Sequence, residues 1–223
     1  MAYPQAPWTL LGSAIQTLNL VDIERSRPLI PPELDIISVW PGKTFGGVYA
    51  ASYSLGSVLE YNELIIVAGL VSYSGRFGAW ISHIYVDNPD SLAGGREIWG
   101  LPKELAEFTW DRSNPHPTIS VSQGNKQLCN LSCNEAIFPI SIPWELPLVG
   151  TVFSNLGTNL LFFKGDFHAR PELVSGNLNV PLESPFANLG LGQPLVTVHS
   201  KDLRFVAGIP EIMGQTATDF SYA

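Results

Sequence analysis

DNPDSLAGGREIWGLPKELAEF, residues 87–108, is the least generic run of this sequence. Asn88 has a side chain suited to accept hydrogen bonds from the free amides that begin a helix. Pro89, with its fixed φ, suits the first helical position. The pattern predicts two to three helical turns through PDSLAGGREIW, ending near Gly100. LPKEL then leads into a strand, AEFTWDRS. Pro102 holds the residue before it in extended geometry, which helps turn Lys103 inward. Ile98, Trp99, Leu101 and Pro102 give that amine apolar neighbours. Gly94 and Gly95 fall towards the end of the helix, so they do not build a phosphate cradle at its start.

Outward from this run the chain reads as strands. Residues 77–86 and 62–73 flank a Ser74-Gly75 turn and predict an antiparallel hairpin. The near-continuous apolar run in NELIIVAGLVSY suits a strand buried on both faces. Residues 44–55 form another strand, where Gly46-Gly47 predicts a bulge or a close backbone approach. Strands are also expected over 8–21 and 35–40. A short helix is expected over 22–30, opened by Asp22 and limited by Pro28. Towards the C-terminus, TISVSQ, KQLCNLS and AIFPISI predict a meander. Residues 158–170 and 195–207 are further strands, with a turn-rich stretch between them.

The composition fits a β-rich shell. Hydrophobic residues make up 45% of the 223 and charged residues 14%, which suits a folded core rather than disorder. Eighteen prolines and twenty glycines imply many turns. No repeat or linker interrupts the chain, so residues 1–223 are expected to form one domain. A net charge of −8 with 12 basic residues argues against a nucleic-acid partner. It also leaves no basic patch for anionic membranes. No run reaches the roughly 18 apolar residues of a membrane span, and the first residues do not read as a signal peptide. A cytoplasmic location with reduced thiols follows as the expectation. On one strand Cys129 and Cys133 stand roughly 13 Å apart at about 3.3 Å per residue, too far for a disulfide. The four histidines (His83, His116, His168 and His199) show no ligand spacing, so no metal is expected. No serine sits in G-x-S-x-G, which leaves a hydrolase triad without support.

GGREIWGLPKELAEF resembles the signature of the acetoacetate decarboxylase superfamily, in which Gly-Arg-Glu ends a short helix and Pro-Lys follows. Here these are Gly95-Arg96-Glu97 and Pro102-Lys103. Tyr61-Asn62-Glu63, Tyr85-Val86-Asp87-Asn88 and the LIPPEL segment resemble the family's upstream elements in the same order. The likeness covers roughly residues 7–110. Segments such as ELIIVAGLVSY, GLP and ASY are nearer the branch containing the plant neoxanthin-deficient protein, which is linked to carotenoid composition. The resemblance implies a mainly β fold, a cone-like antiparallel β-barrel with a few short helices. It also implies a homo-oligomer and a lysine that forms a Schiff base with a carbonyl substrate. No cofactor is implied.

That chemistry suits a buried amine. The amine condenses with a ketone, and the iminium draws electrons as a carbon–carbon bond breaks. Only the neutral amine attacks, and desolvation favours that form. On this reading Lys103 is the nucleophile and Glu63 shuttles its proton or orients it; the alternatives are a surface lysine and a strand-edge carboxylate. Arg96 either binds a substrate carboxylate or pairs with Glu97, and Glu97 is itself expected with it among the substrate-binding residues. Trp99 and Leu101 are expected to wall the substrate site, and His83 either lines the pocket or is a hydrogen-bonded core residue.

Two departures from the family pattern bear on the substrate. Glu104 follows Lys103, where the decarboxylases have a second lysine. It either faces the same pocket, favouring the charged amine, or points away into solvent. The first strand, WTLLGSAIQTLNL, lacks the expected arginine, and TFGGVYAAS lacks a second acid. The expected activity is therefore a lyase acting on a keto or aldehyde substrate other than acetoacetate. The alternative is a non-catalytic or accessory protein that binds an apolar ligand such as a carotenoid or isoprenoid.

Overall fold

The computed structural model describes residues 3–113, 116–136 and 145–217. In chain order the elements are β1 (Trp8–Asp22), α1 (Ile23–Ser26), β2 (Asp35–Ile36), β3 (Lys43–Tyr53), β4 (Tyr61–Tyr73), β5 (Arg76–Val86), α2 (Pro89–Trp99), β6 (Lys103–Leu105) and β7 (Glu107–Asp111). They continue with β8 (Thr118–Gln123), β9 (Lys126–Ala136), β10 (Leu146–Leu156), β11 (Asn159–Asn179), β12 (Val196–Ala207) and β13 (Glu211–Gln215). Single 3₁₀ turns follow α1 and precede β12.

Seven strands close into a barrel in the order β10-β5-β4-β3-β1-β12-β11, with β11 pairing back to β10. Neighbours in this ring are antiparallel except β5 and β10, which meet in parallel at Val152↔Ala79 and Phe153↔Trp80. Alternation along the strands separates two apolar clusters. On β4, Tyr61, Glu63, Ile65 and Val67 line the bore, whereas Leu64, Ile66 and Ala68 face an outer core. That outer core also holds Ile119, Val121, Leu128 and Leu131 of β8 and β9, together with Phe186. An inner cluster around Trp8, Tyr53, Tyr61, Trp99 and Leu101 fills one part of the bore.

Local signals account for the helix that carries the motif. The Asn88 side chain accepts hydrogen bonds from the amides of Asp90 and Ser91 at 2.8 and 3.2 Å. Gly100 adopts φ 59°, a left-handed conformation that ends the helix with little strain in a residue lacking Cβ. Gly46-Gly47 mark a close approach rather than a bulge. A Cβ on Gly47 would lie 2.1 Å from the Thr17 carbonyl oxygen, and one on Gly46 would lie 2.6 Å from that of Val67.

Several stretches differ from the sequence reading. The strand expected over 35–40 forms a ladder with β4 only at Asp35–Ile36, because the chain turns at Pro41-Gly42, where Gly42 has φ 71°, and Trp40 bridges back to Lys43 instead. The turn-rich assignment after residue 170 is corrected up to Asn179. β11 runs on because β9 offers it a ladder from Ala136 to Asn130, and long-range pairing overrides the local preference of Pro171 and Gly176. β10 and β13 had no counterpart in the sequence reading. Pro147 and Gly150 disguise β10, which forms a hairpin with β11 across Gly157-Thr158 and meets β5, a partner far along the chain. Most of AIFPISI lies outside the described residues. Among the described residues no helix is long and apolar enough to cross a membrane.

Candidate active site

Lys103 opens β6, which runs parallel to β5 with Ile84 opposite Lys103. Successive side chains on a strand point to opposite faces. Lys103 therefore turns into the bore, 3% exposed, and Glu104 turns out to solvent. There Glu104 accepts a hydrogen bond from Gln123 Nε2 at 2.9 Å. The two acids next to the amine thus have different places: Glu104 outside, Glu63 inside.

The Lys103 ammonium lies 2.8 Å from Glu63 Oε1 and donates to Ser91 Oγ at 2.9 Å. The rings of Tyr61 and Trp8 stand 5.0 and 5.8 Å from Nζ. The second Glu63 oxygen accepts from the Tyr53 hydroxyl at 3.2 Å, and that hydroxyl is 3.1 Å from Tyr49 Oη. Burial pushes the phenols of Tyr49, Tyr53 and Tyr61 above their ordinary range, and the Glu63 charge adds to this. The three hydroxyls therefore stay protonated and available as donors.

Helix α2 shapes this arrangement from behind. Ser91 and Gly95 are one turn apart and share a face. A Cβ on Gly95 would lie 2.4 Å from Lys103 Cδ and 2.5 Å from Cε. Gly94 meets Trp8 in the same way, at 2.6 Å. The paired glycines weaken the helix by about 1 kcal/mol each, and in return the lysine stem and the indole pack directly on its backbone.

Lys103 and Glu63 face a cavity of about 190 Å³. Its walls are mostly apolar, including Leu10, Ile65, Val67, Ile81, Trp99, Leu101 and Phe163. Glu63 and Lys103 are the charged side chains among the described residues that line it. Trp99 is fixed by a 2.7 Å hydrogen bond from Nε1 to the Gly208 carbonyl.

The other expected residues lie elsewhere. Arg96 donates from Nε to the Lys103 carbonyl at 2.7 Å, so it holds the backbone of the lysine and does not line the cavity. Glu97 is exposed and accepts a hydrogen bond from the Tyr3 hydroxyl. His83 is on the outward face of β5, hydrogen-bonded to Ser82 Oγ at 3.0 Å and packed near Phe186. Among the described residues no group of three His, Cys, Asp or Glu side chains could hold a metal. Cys129 and Cys133 are free and buried.

Sequence reasoning missed Ser91, Tyr53, Tyr49, Trp8 and the role of Gly95. The Gly-Gly pair inside a helical pattern, with Ser91 four residues before Gly95, was the available signal of a closely approached helix face. The tyrosines gave none, because they reach Glu63 through strand pairing.

A family model described as acetoacetate decarboxylase matches residues 2–137, more than half of the chain. Protein NEOXANTHIN-DEFICIENT 1 of Solanum lycopersicum is 34% identical over 109 residues, 49% of this chain and 37% of that protein. The acetoacetate decarboxylase of Burkholderia vietnamiensis is 30% identical over 116 residues, 52% of this chain and 45% of that protein. The matched stretches thus span less than half the length of these relatives. The fold is shared with the crystal structure of acetoacetate decarboxylase from Legionella pneumophila. That comparison has a TM-score of 0.77 and 17% identity, and covers 96% of this chain and 90% of that one. It is also shared with the enduracididine biosynthesis enzyme MppR complexed with the condensation product of pyruvate and imidazole 4-carboxaldehyde. There the TM-score is 0.67 with 16% identity, and 99% of this chain and 92% of that one are covered.

Proposed function

The chain belongs to the acetoacetate decarboxylase family, and on that premise we propose that it is a carbon–carbon lyase acting through a Schiff base on Lys103. One observation carries the reading: an amine 3% exposed, 2.8 Å from a buried carboxylate, at the wall of an apolar cavity. In the first step the Lys103 ammonium passes a proton to Glu63, and the freed lone pair attacks the substrate carbonyl carbon. The nitrogen passes a further proton to the carbinolamine oxygen, Glu63 returns the first, and the oxygen leaves as water to give an iminium. With a β-hydroxy ketone or aldehyde as substrate, Glu63 takes the β-hydroxyl proton, the bond between the α- and β-carbons breaks, its electron pair moves into the iminium to give an enamine, and the β-carbon leaves as a carbonyl compound. Protonation and hydrolysis release the product and restore the amine. Tyr53 and Tyr49 steady Glu63 through both transfers, and Ser91 aims Nζ.

Substrate choice follows from the walls. A free carboxylate in this cavity finds no cation beyond Lys103 among the described lining residues. The substrate is therefore a ketone or aldehyde of apolar character rather than acetoacetate. The same lack of a second cation favours a second reading, an accessory protein that holds an apolar ligand without turnover. A carotenoid or other isoprenoid would suit it, the class of molecule named in the NEOXANTHIN-DEFICIENT relatives.

Borohydride trapping separates the two. The protein is incubated with a panel of small ketones, keto acids and aldehydes, reduced, digested and weighed. The lyase reading expects a reduced adduct on the peptide carrying Lys103, absent from Lys103→Met. No adduct across the panel would refute it.

A further inference from the structure

The bore continues beyond the lysine chamber. A second cavity of about 350 Å³ shares Gln16, Tyr49, Gly150 and Phe167 with the first. On β11, Phe163 and Gly165 line the first cavity, Phe167 lines both, and Ala169 and Pro171 line the second. On antiparallel β12 the order reverses, with Phe205 and Ala207 on the first and Val198, Ser200 and Leu203 on the second. β10 repeats the sequence, with Thr151 and Val152 on the first and Leu146, Leu148 and Val149 on the second, so three strands place the two chambers end to end in one barrel. From Phe163 to Pro171 the strand rises about 26 Å at ~3.3 Å per residue. With strand tilts of roughly 35–45°, that is about 20 Å along the axis.

Aromatic rings form the neck. Phe167 stacks on Phe205 at 4.4 Å and meets Tyr49 edge-on at 6.2 Å. Gly150 and Gly165 face each other across β10 and β11 beneath these rings. A Cβ on Gly165 would lie 2.7 Å from Phe205 and 3.1 Å from Phe167. Past the neck the walls are largely aliphatic, and no charged side chain lines them among the described residues. A charged group placed there finds no counter-charge among the described lining residues, whose polar side chains are Gln16, Tyr49 and Ser200. A hydrocarbon chain would gain from the burial.

We propose that the second chamber holds an unbranched aliphatic tail of the substrate whose carbonyl meets Lys103. The substrate class is then long-chain aliphatic ketones or aldehydes. This rests on the reading of Lys103 as the Schiff-base amine. In the trapping step Nζ bonds to the carbonyl carbon and the oxygen leaves as water. Hydride from borohydride then reduces the iminium to a secondary amine.

The test uses the full chain with two homologous series. Straight-chain methyl ketones from butanone to undecanone are trapped on Lys103 with borohydride, and the concentration giving half-maximal trapping is read. Primary alkanols of the same lengths, which cannot form an iminium, are titrated by calorimetry. Both series are expected to tighten by about fourfold for each methylene that passes the neck. Ala169→Trp and Ser200→Phe, two independent ways of filling the second chamber, are expected to remove this gain for the longer members. Affinity that is flat with length in both series overturns the tail chamber, as do two folded variants that keep the wild-type slope. Alkanols that tighten with length while no ketone is trapped overturn the Schiff-base reading, and with it the substrate class.

Discussion

Gly95→Ala tests the site at its tightest point. The added Cβ lies 2.4 Å from Lys103 Cδ and 2.5 Å from Cε. Carbon atoms settle about 3.5–4.0 Å apart, so the stem must retreat by about 1.1 Å or more. The lysine backbone cannot follow, because β6 is paired with β5 and the Lys103 carbonyl is held by Arg96 at 2.7 Å. The displacement therefore falls on the side chain and carries Nζ away from Glu63 Oε1 and Ser91 Oγ, now at 2.8 and 2.9 Å. Overpacking a core costs about 1–3 kcal/mol, and replacing a helical glycine with alanine returns about 1 kcal/mol. The net loss of stability is on the order of 0–2 kcal/mol. A misplacement of about 1 Å at a reacting group costs on the order of 100-fold in rate. The expected result is a folded protein whose urea midpoint moves little and whose borohydride trapping slows by about two orders of magnitude. Trapping at the wild-type rate in Gly95→Ala would refute the claim that this glycine sets the position of the amine.

Glu63→Gln is expected to slow trapping by about 100-fold or more, since the amide cannot take the lysine proton. It should also lower stability by about 3 kcal/mol in urea melts, because a buried cation loses its counter-charge. Wild-type values for both would remove Glu63 from its assigned place. Burial, with Lys201 adding to it, brings the pKa of His199 from its ordinary 6.5 down to about 4. Its folded form is then neutral where the unfolded chain already takes up a proton. Stability from this group is fully present above about pH 6.5 and is lost as pH falls towards 4. The melting temperature should drop through that window, and His199→Gln should flatten the drop; an unchanged profile would exclude His199 as its source.

The motif run shows how far local reading reaches. The Asn88 cap, the Gly100 stop and the Pro102-Lys103 step depend on residues within one helical turn of each other, and the structure has them where the sequence placed them. The alternation of β4 between bore and outer core was less legible, because NELIIVAGLVSY is apolar on both faces and its polar inward residue, Glu63, reads equally well as a strand-edge acid. Arg96 shows the opposite limit. Its charge suggested a substrate contact, but a guanidinium can equally satisfy a carbonyl of its own chain, and the backbone path decides which.

Residue types and short spacings by themselves determined a β-rich chain and a capped helix, and left Lys103 open between surface and interior. These follow from dihedral preferences and side-chain periods of two and 3.6, which act over a few residues. Closure of the barrel by the parallel β5–β10 contact, the outward turn of Glu104 and the pairing of Lys103 with Glu63 were decided by tertiary structure. So were the steric demand at Gly95 and the second chamber beyond Phe167. Each depends on strand register between segments far apart in the chain, where a shift of one residue would turn every side chain to the other face.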